Sequence, residues 1–290
     1  MTTARLFRVT GLVQGVGFRP TVHRIARELA LAGEVFNDAE GVGVILEGPE
    51  EAVLRFPEVL RAQKPPLARI DDVVMTEVPA TGRTEFTITK TKGGRVRTGI
   101  TADAATCAAC LEDLFDPANR RYRYAFTNCT HCGPRFTITK RLPYDRPQTT
   151  MAPFAMCPDC LTEYEDPLDR RFHAQPNACP VCGPKVWLAS APEGAPRISG
   201  PELAEGQHAI ERTAAALRAG NIVAVKGLGG FHLVCDATSA EAVALLRERK
   251  RRPHKSLAIM VPDLETARRV AWVSDAEAAV LSSSERPIVV

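Results

Sequence analysis

No apolar stretch of the 290-residue chain approaches the roughly 20 residues that a membrane span requires. The opening MTTARLFRVTG also lacks the long apolar core of a signal peptide and enters an alternating strand pattern at once. These absences exclude a helical membrane protein and point to the cytoplasm. Charge of one sign is scarce as well. The formal net charge is only +3, without the concentrated basic face that nucleic-acid binding normally leaves. Neither a nucleic-acid nor a membrane partner is expected. The hydrophobic and charged fractions, 45% and 24%, are those of a globular protein, and the length suits two or three domains.

Cysteine is what the chain does have. Eight of the nine cysteines fall in C-x-x-C pairs, and Cys235 stands alone as a small core residue. The pairs are Cys107/Cys110, Cys129/Cys132, Cys157/Cys160 and Cys179/Cys182. Each half reads C-x2-C-x18-C-x2-C, and the repeat extends further: CAACLEDLFDPANRRYRY aligns with CPDCLTEYEDPLDRRFHA, and NCTHCGPRF with ACPVCGPKV. Two C-x-x-C turns supply four thiolates, the donor set of a structural zinc site. Without an export signal, metal ligation is favoured over disulfides. Iron–sulfur binding and a swapped pairing between the halves both stay open. Four ligands leave no position for substrate, so a structural role is expected for both metals, with His131 and His173 outside the ligand sets.

The segment before the cysteines patterns as βαββαβ. A strand at Leu6–Val13 precedes a helix opened by Pro20, with Val22, Ile25, Ala26 and Leu29 on one face and Gly33 as its stop. Strands at Glu34–Asn37 and Val42–Glu47, a helix from Pro49, and strands at Val73–Val78 and Glu85–Thr89 follow. Helices on one face of a four-stranded antiparallel sheet make a ferredoxin-like α+β sandwich. The first strand and helix are joined by GLVQGVGFR, residues 11–19. Its glycines let successive N–H groups converge, the helix N-terminus adds partial positive charge, and Arg19 offers a planar fork for phosphate oxygens. Asn37 can hold a water by its carboxamide.

This segment resembles the acylphosphatases. The resemblance implies that Gln14, Gly15, Val16, Gly17 and Phe18 form the phosphate loop, that Arg19 binds the phosphoryl group, and that Asn37 orients the attacking water. Gly43 departs from the branched apolar residue usual there.

Residues 93–99 and 189–206 have the composition of linkers. Past the second, the pattern turns α/β: a helix at Ala209–Ala219, a buried-type strand IVAVKG, a helix at Ala240–Lys250 and a strand SLAIMV. Lys226 beside the Gly227–Gly230 turn, with Lys250 and Arg252, resembles the triphosphate-binding start of a YrdC-like domain, with Ser256 where proline is more usual. The domains expected are acylphosphatase-like (1–92), tandem four-cysteine zinc fingers (100–188) and an incomplete YrdC-like nucleotide-binding domain (205–290). The final ERPIVV reads as half a strand, and the chain as a fragment of a longer protein.

The stretch from DPANRRYRYAFTNCTHCGPRF to DPLDRRFHAQPNACPVCGP resembles the HypF family, carbamoyltransferases of nickel–iron hydrogenase maturation. That resemblance implies hydrolysis of carbamoyl phosphate, joining of carbamate to the AMP part of ATP with Mg2+, and transfer to the C-terminal cysteine of a HypE-type partner. Two rivals remain at this level. One is a general acylphosphatase with an accessory zinc domain. The other is a zinc protein that binds RNA through Arg120, Arg121 and Arg123 interleaved with Tyr122 and Tyr124.

Overall fold

The computed structural model describes residues 2–38, 41–89, 100–142, 144–190 and 202–290. The expected 93–99 linker and most of the 189–206 linker lie outside them. Two compact units divide the chain, one made of 1–113 with 126–183 and the other of 114–125 with 184–290.

The first unit is α+β. Strand β1 (Thr2–Leu12) leads into helix α1 (Phe18–Glu28), then β2 (Ala32–Asn37), β3 (Val42–Pro49), α2 (Glu50–Gln63), β4 (Arg69–Glu77) and β5 (Phe86–Ile88). The sheet order is β4-β1-β3-β2-β5. β1 pairs antiparallel with β3 and β4, so that Phe7 lies opposite both Val44 and Met75. The strand expected at Glu85–Thr89 is present as β5, but it makes the sheet five-stranded where a four-stranded antiparallel one was expected, and it pairs in parallel. β5 joins the open edge of β2 in parallel, because it arrives by a crossover from β4 instead of a hairpin. Alternation along β1 sends Phe7 and Val9 inward, where they meet Val22, Ile25, Phe56 and Leu60 from the two helices. Helix α1 begins two residues before Pro20 and ends at Glu28, with Leu29 as its C-cap, ahead of the expected stop at Gly33. A bulge at Thr10/Gly11 shifts the β1–β4 register, and pairing resumes as Gly11 opposite Ile70 and Leu12 opposite Arg69.

The cysteine-rich part of this unit has little regular structure beyond α4 (Pro158–Glu165) and the start of α3 (Ala108–Phe115). Its largest fully buried residues include Arg135 rather than an apolar side chain. Hydrogen bonds therefore do much of the ordering here. The two halves of the repeat are joined by Thr130 donating to the Arg170 carbonyl (3.0 Å) and by Asp113 accepting from both Arg170 and Arg171.

The second unit holds the pair β6 (Trp187–Ala189) and β7 (Glu202–Glu205), helix α5 (Gly206–Arg218), the hairpin β8 (Val223–Lys226) and β9 (Phe231–Val234), and helices α6 (Ala240–Lys250), α7 (Leu264–Val270) and α8 (Asp275–Leu281). α6 has the expected bounds, with Ser239 as its N-cap. Three readings are corrected. β8 is present but exposed rather than buried, SLAIMV forms no strand, and neither does ERPIVV. Buried strands need a sheet edge and a covering layer, and among the described residues the hairpin has no third strand. Arg121 is buried, Arg123 lies over the Tyr122 ring and pairs with Glu211, and the Tyr124 hydroxyl donates to the Pro184 carbonyl.

Candidate active site and metal centres

The loop between β1 and α1 is shaped by two left-handed glycines. Gly15 has φ 74° and Gly17 has φ 76°, a conformation that costs other residues free energy. Val16 and Phe18, both buried, anchor the loop in the core. Gly17 is required twice over, since a Cβ there would lie 2.8 Å from Thr130 Cβ. The result is a run of N–H groups at a helix N-terminus, a geometry suited to an anion.

Arg19, Asn37 and the loop line one pocket together with Thr130, Arg135, Tyr144, His173 and Gln175. The pocket thus brings together six of the seven residues expected at the acyl-phosphate site; Val16 instead points into the core. Arg19, 12% exposed, lies 3.4 Å through Nη2 from Asp145 Oδ1. Asn37 is 2% exposed, and its Oδ1 is buried with no hydrogen-bond partner. A buried acceptor left unpaired costs about 1–3 kcal/mol, and a water donating to it would remove that cost. Gln14 lines the same pocket. Its Nε2 donates to the carbonyls of Gly41 (3.1 Å) and Asp38 (3.4 Å), so its side chain braces the turn behind Asn37. Gly43 is explained by packing, because a Cβ there would fall 2.4 Å from the Phe36 ring.

The cysteine region contributes the other wall of the pocket. Tyr144 stacks against Gly15, and burial pushes its phenol up to about 12. His173 is held down at about 4, first by burial and then by the Arg19 charge, so it is neutral at physiological pH. Arg135, 1% exposed, donates through Nε to the Gly15 carbonyl. Sequence reasoning gave this wall no role: the resemblance implied only that the run from Arg141 to Met151 faces a cavity between domains, and Arg135 and His173 were not expected there. One signal was present: the repeat places Arg135 in CGPR of the first half and Lys185 in CGPK of the second, and Lys185 is half-exposed on Glu205.

The eight paired cysteines gather as Cys107, Cys110, Cys129 and Cys132, and as Cys157, Cys160, Cys179 and Cys182. Pairing is therefore within each half. Cys107–Cys129, Cys129–Cys132, Cys157–Cys179, Cys179–Cys182 and Cys160–Cys182 have Sγ–Sγ distances of 3.7, 3.8, 3.7, 3.8 and 3.6 Å. A disulfide is near 2.05 Å, whereas a tetrahedron with zinc–sulfur bonds of about 2.3 Å has edges of about 3.8 Å. Protonation tells the same story. Hydrogen bonds from Cys110 and Cys129 drive the Cys132 thiol down, while bonds to Cys129 and Cys132 drive Cys110 up. Four thiolates cannot coexist at this spacing unless a cation sits among them. Arg170 Nη1 lies 3.4 Å from Cys110 Sγ, an outer partner of the kind that orients ligands. Both clusters fit one zinc ion each, and neither includes a histidine.

Lys226 ends β8 with its ammonium 4.9 Å from the Phe231 ring, and Gly227 donates to the Gly230 carbonyl across the turn. Lys250 ends α6, and Arg252 Nη2 donates to the Ser256 carbonyl. Cys235 is half-buried.

Profiles of three families match the chain in order: Acylphosphatase over residues 6–88, HypF finger over 106–139 and 156–189, and Sua5/YciO/YrdC, described as telomere recombination, over 215–290. Carbamoyltransferase HypF2 of Cupriavidus necator is 54% identical over 97% of this chain and 34% of its own length. The crystal structure of full-length HypF in a phosphate- and nucleotide-bound form superposes with a TM-score of 0.89 at 40% identity, covering 98% of this chain and 36% of that one. The chain belongs to the HypF family. It spans about a third of the length of these relatives. Its first part is also 40% identical to an acylphosphatase of Lactobacillus johnsonii, matched over 28% of this chain and 91% of that protein.

Proposed function

We propose that the chain carries the acyl-phosphate site of a hydrogenase-maturation carbamoyltransferase. Arg19 and the N–H groups of residues 15–18 bind the phosphoryl oxygens of carbamoyl phosphate, and Asn37 Oδ1 accepts from a water and aims it. Water adds across the anhydride, giving carbamate and inorganic phosphate. No side-chain nucleophile is needed, because an acyl phosphate is already activated and positioning with charge stabilisation lowers the barrier. The observation that carries this reading is the convergence of Arg19 and the unpartnered Asn37 Oδ1 on one pocket at a helix N-terminus.

The eight paired cysteines hold two zinc ions that fix the finger region and take no part in the chemistry. Residues 205–290 would supply part of an ATP site, where Lys226, Lys250 and Arg252 would bind phosphate oxygens and Mg2+ would accompany the triphosphate. There carbamate joins the AMP part of ATP with loss of pyrophosphate. In the full-length protein the carbamoyl group then passes to the C-terminal cysteine of a HypE-type partner. The setting is the cytoplasm, and the domains run 1–92, 100–188 and 205–290.

The test is phosphate release from carbamoyl phosphate by this chain and by Arg19→Ala, with zinc measured in both. Release lost in the variant at unchanged zinc supports the reading. Equal release by both would overturn it, and equal turnover of acetyl and carbamoyl phosphate would favour a general acylphosphatase.

A further inference from the structure

The guanidinium of Arg135 has five N–H donors, and every one is committed. Nε donates to the Gly15 carbonyl. Nη1 donates to the carbonyls of Cys132 (3.0 Å) and Pro134 (2.8 Å), and Nη2 to those of Cys129 (3.0 Å) and Thr130 (2.9 Å). Two of these carbonyls belong to ligands of the first cluster. The same side chain thus grips the second C-x-x-C turn of that cluster and the phosphate loop. A buried charge is tolerable only with such full pairing.

The Gly15 contact has a geometric consequence. In a trans peptide the C=O and the following N–H point in opposite directions. Holding the Gly15 carbonyl outward on Arg135 therefore turns the Val16 N–H toward the opposite side, into the loop. Thr101 does the same one residue earlier, its Oγ1 donating to the Gln14 carbonyl at 3.2 Å and so fixing the Gly15 N–H. Neither N–H donates to a backbone carbonyl among the described residues. Both are left for a ligand.

We propose that Arg135 is a positioning residue for the acyl-phosphate site. It holds the N–H groups of the phosphate loop in their binding orientation and makes that orientation depend on the first four-cysteine cluster, not the second. This inference rests on the function proposed above only for the identity of the substrate. The loop's affinity for phosphate is a property that stands or falls separately.

The experiment uses inorganic phosphate as the probe, titrated by calorimetry into the zinc-loaded chain and into Arg135→Lys, Arg135→Gln and Thr101→Ala, with zinc counted in each. Loss of one charge-assisted hydrogen bond is worth about a tenfold change in an equilibrium constant. The Arg135 variants should therefore weaken phosphate about tenfold or more and raise KM for carbamoyl phosphate more than they lower kcat. Thr101→Ala should weaken phosphate by a smaller factor. Hydrogen exchange adds a second readout: with saturating phosphate bound to those amides, stripping the metal should speed exchange of Gly15 and Val16 in the parent chain. Unchanged phosphate affinity in both Arg135 variants at full zinc content would overturn the proposal. If those variants do not fold, unchanged affinity in Thr101→Ala together with amides indifferent to metal removal would overturn it equally. Dependence of phosphate binding on Arg135 in a chain that does not hydrolyse carbamoyl phosphate would sink the proposed function and leave this inference in place.

Discussion

The Arg19 guanidinium rests 3.4 Å from the Asp145 carboxylate, at the edge of a pocket whose shape calls for an anion. The carboxylate aims Arg19 and, on the proposed function, competes with phosphate for it. Asp145→Asn removes the competing charge. Inorganic phosphate should then inhibit at several-fold lower concentration, as product-inhibition kinetics would show. Weaker inhibition would mean that Asp145 serves mainly to orient Arg19.

Asn37 has a separable role. Loss of a single preorganised polar group at a reacting centre costs about 10²–10³ in kcat. Asn37→Ala should show that loss while leaving phosphate affinity within about twofold. A parallel loss of affinity would place Asn37 on the phosphoryl group instead of the water.

His173 offers a titration. Burial and Arg19 lower its value from 6.5 to about 4, so the folded state favours the neutral ring. Its contribution to stability is present above pH 6.5 and is lost as pH falls from there through about 4, where the unfolded chain binds the extra proton. NMR titration should find His173 well below 6.5. In Arg19→Ala the value should rise, yet stay depressed by burial.

Gly43→Val tests packing away from the chemistry. The added side chain meets the Phe36 ring at 2.4 Å, and overpacking of this kind costs about 1–3 kcal/mol. A lower midpoint in urea is expected, with zinc content unchanged.

Much of this was legible in the sequence, for reasons that are local. The cysteine spacing, the glycine loop, α6 and the order of strands and helices in the first unit all depend on short patterns. What escaped was long-range. Tyr144 and His173 reach the pocket, and Asp145 reaches Arg19, from segments with no periodicity, so no pattern announces them. The parallel β5 depends on which sheet edge is free, and the missing SLAIMV strand on having an edge at all. Arg135 was visible only as one asymmetry between two repeats, and nothing local says that its partner is the carbonyl of Gly15.

The Arg135–Gly15 bond joins residues 120 positions apart. The ribosome therefore releases the strands, helices and glycine loop of the first domain well before the residue that braces the loop exists. A growing chain can complete that domain's core while its anion site is still unfinished. On the role proposed for Arg135, the anion site is complete only once synthesis has passed the second C-x-x-C pair and the metal has been taken up.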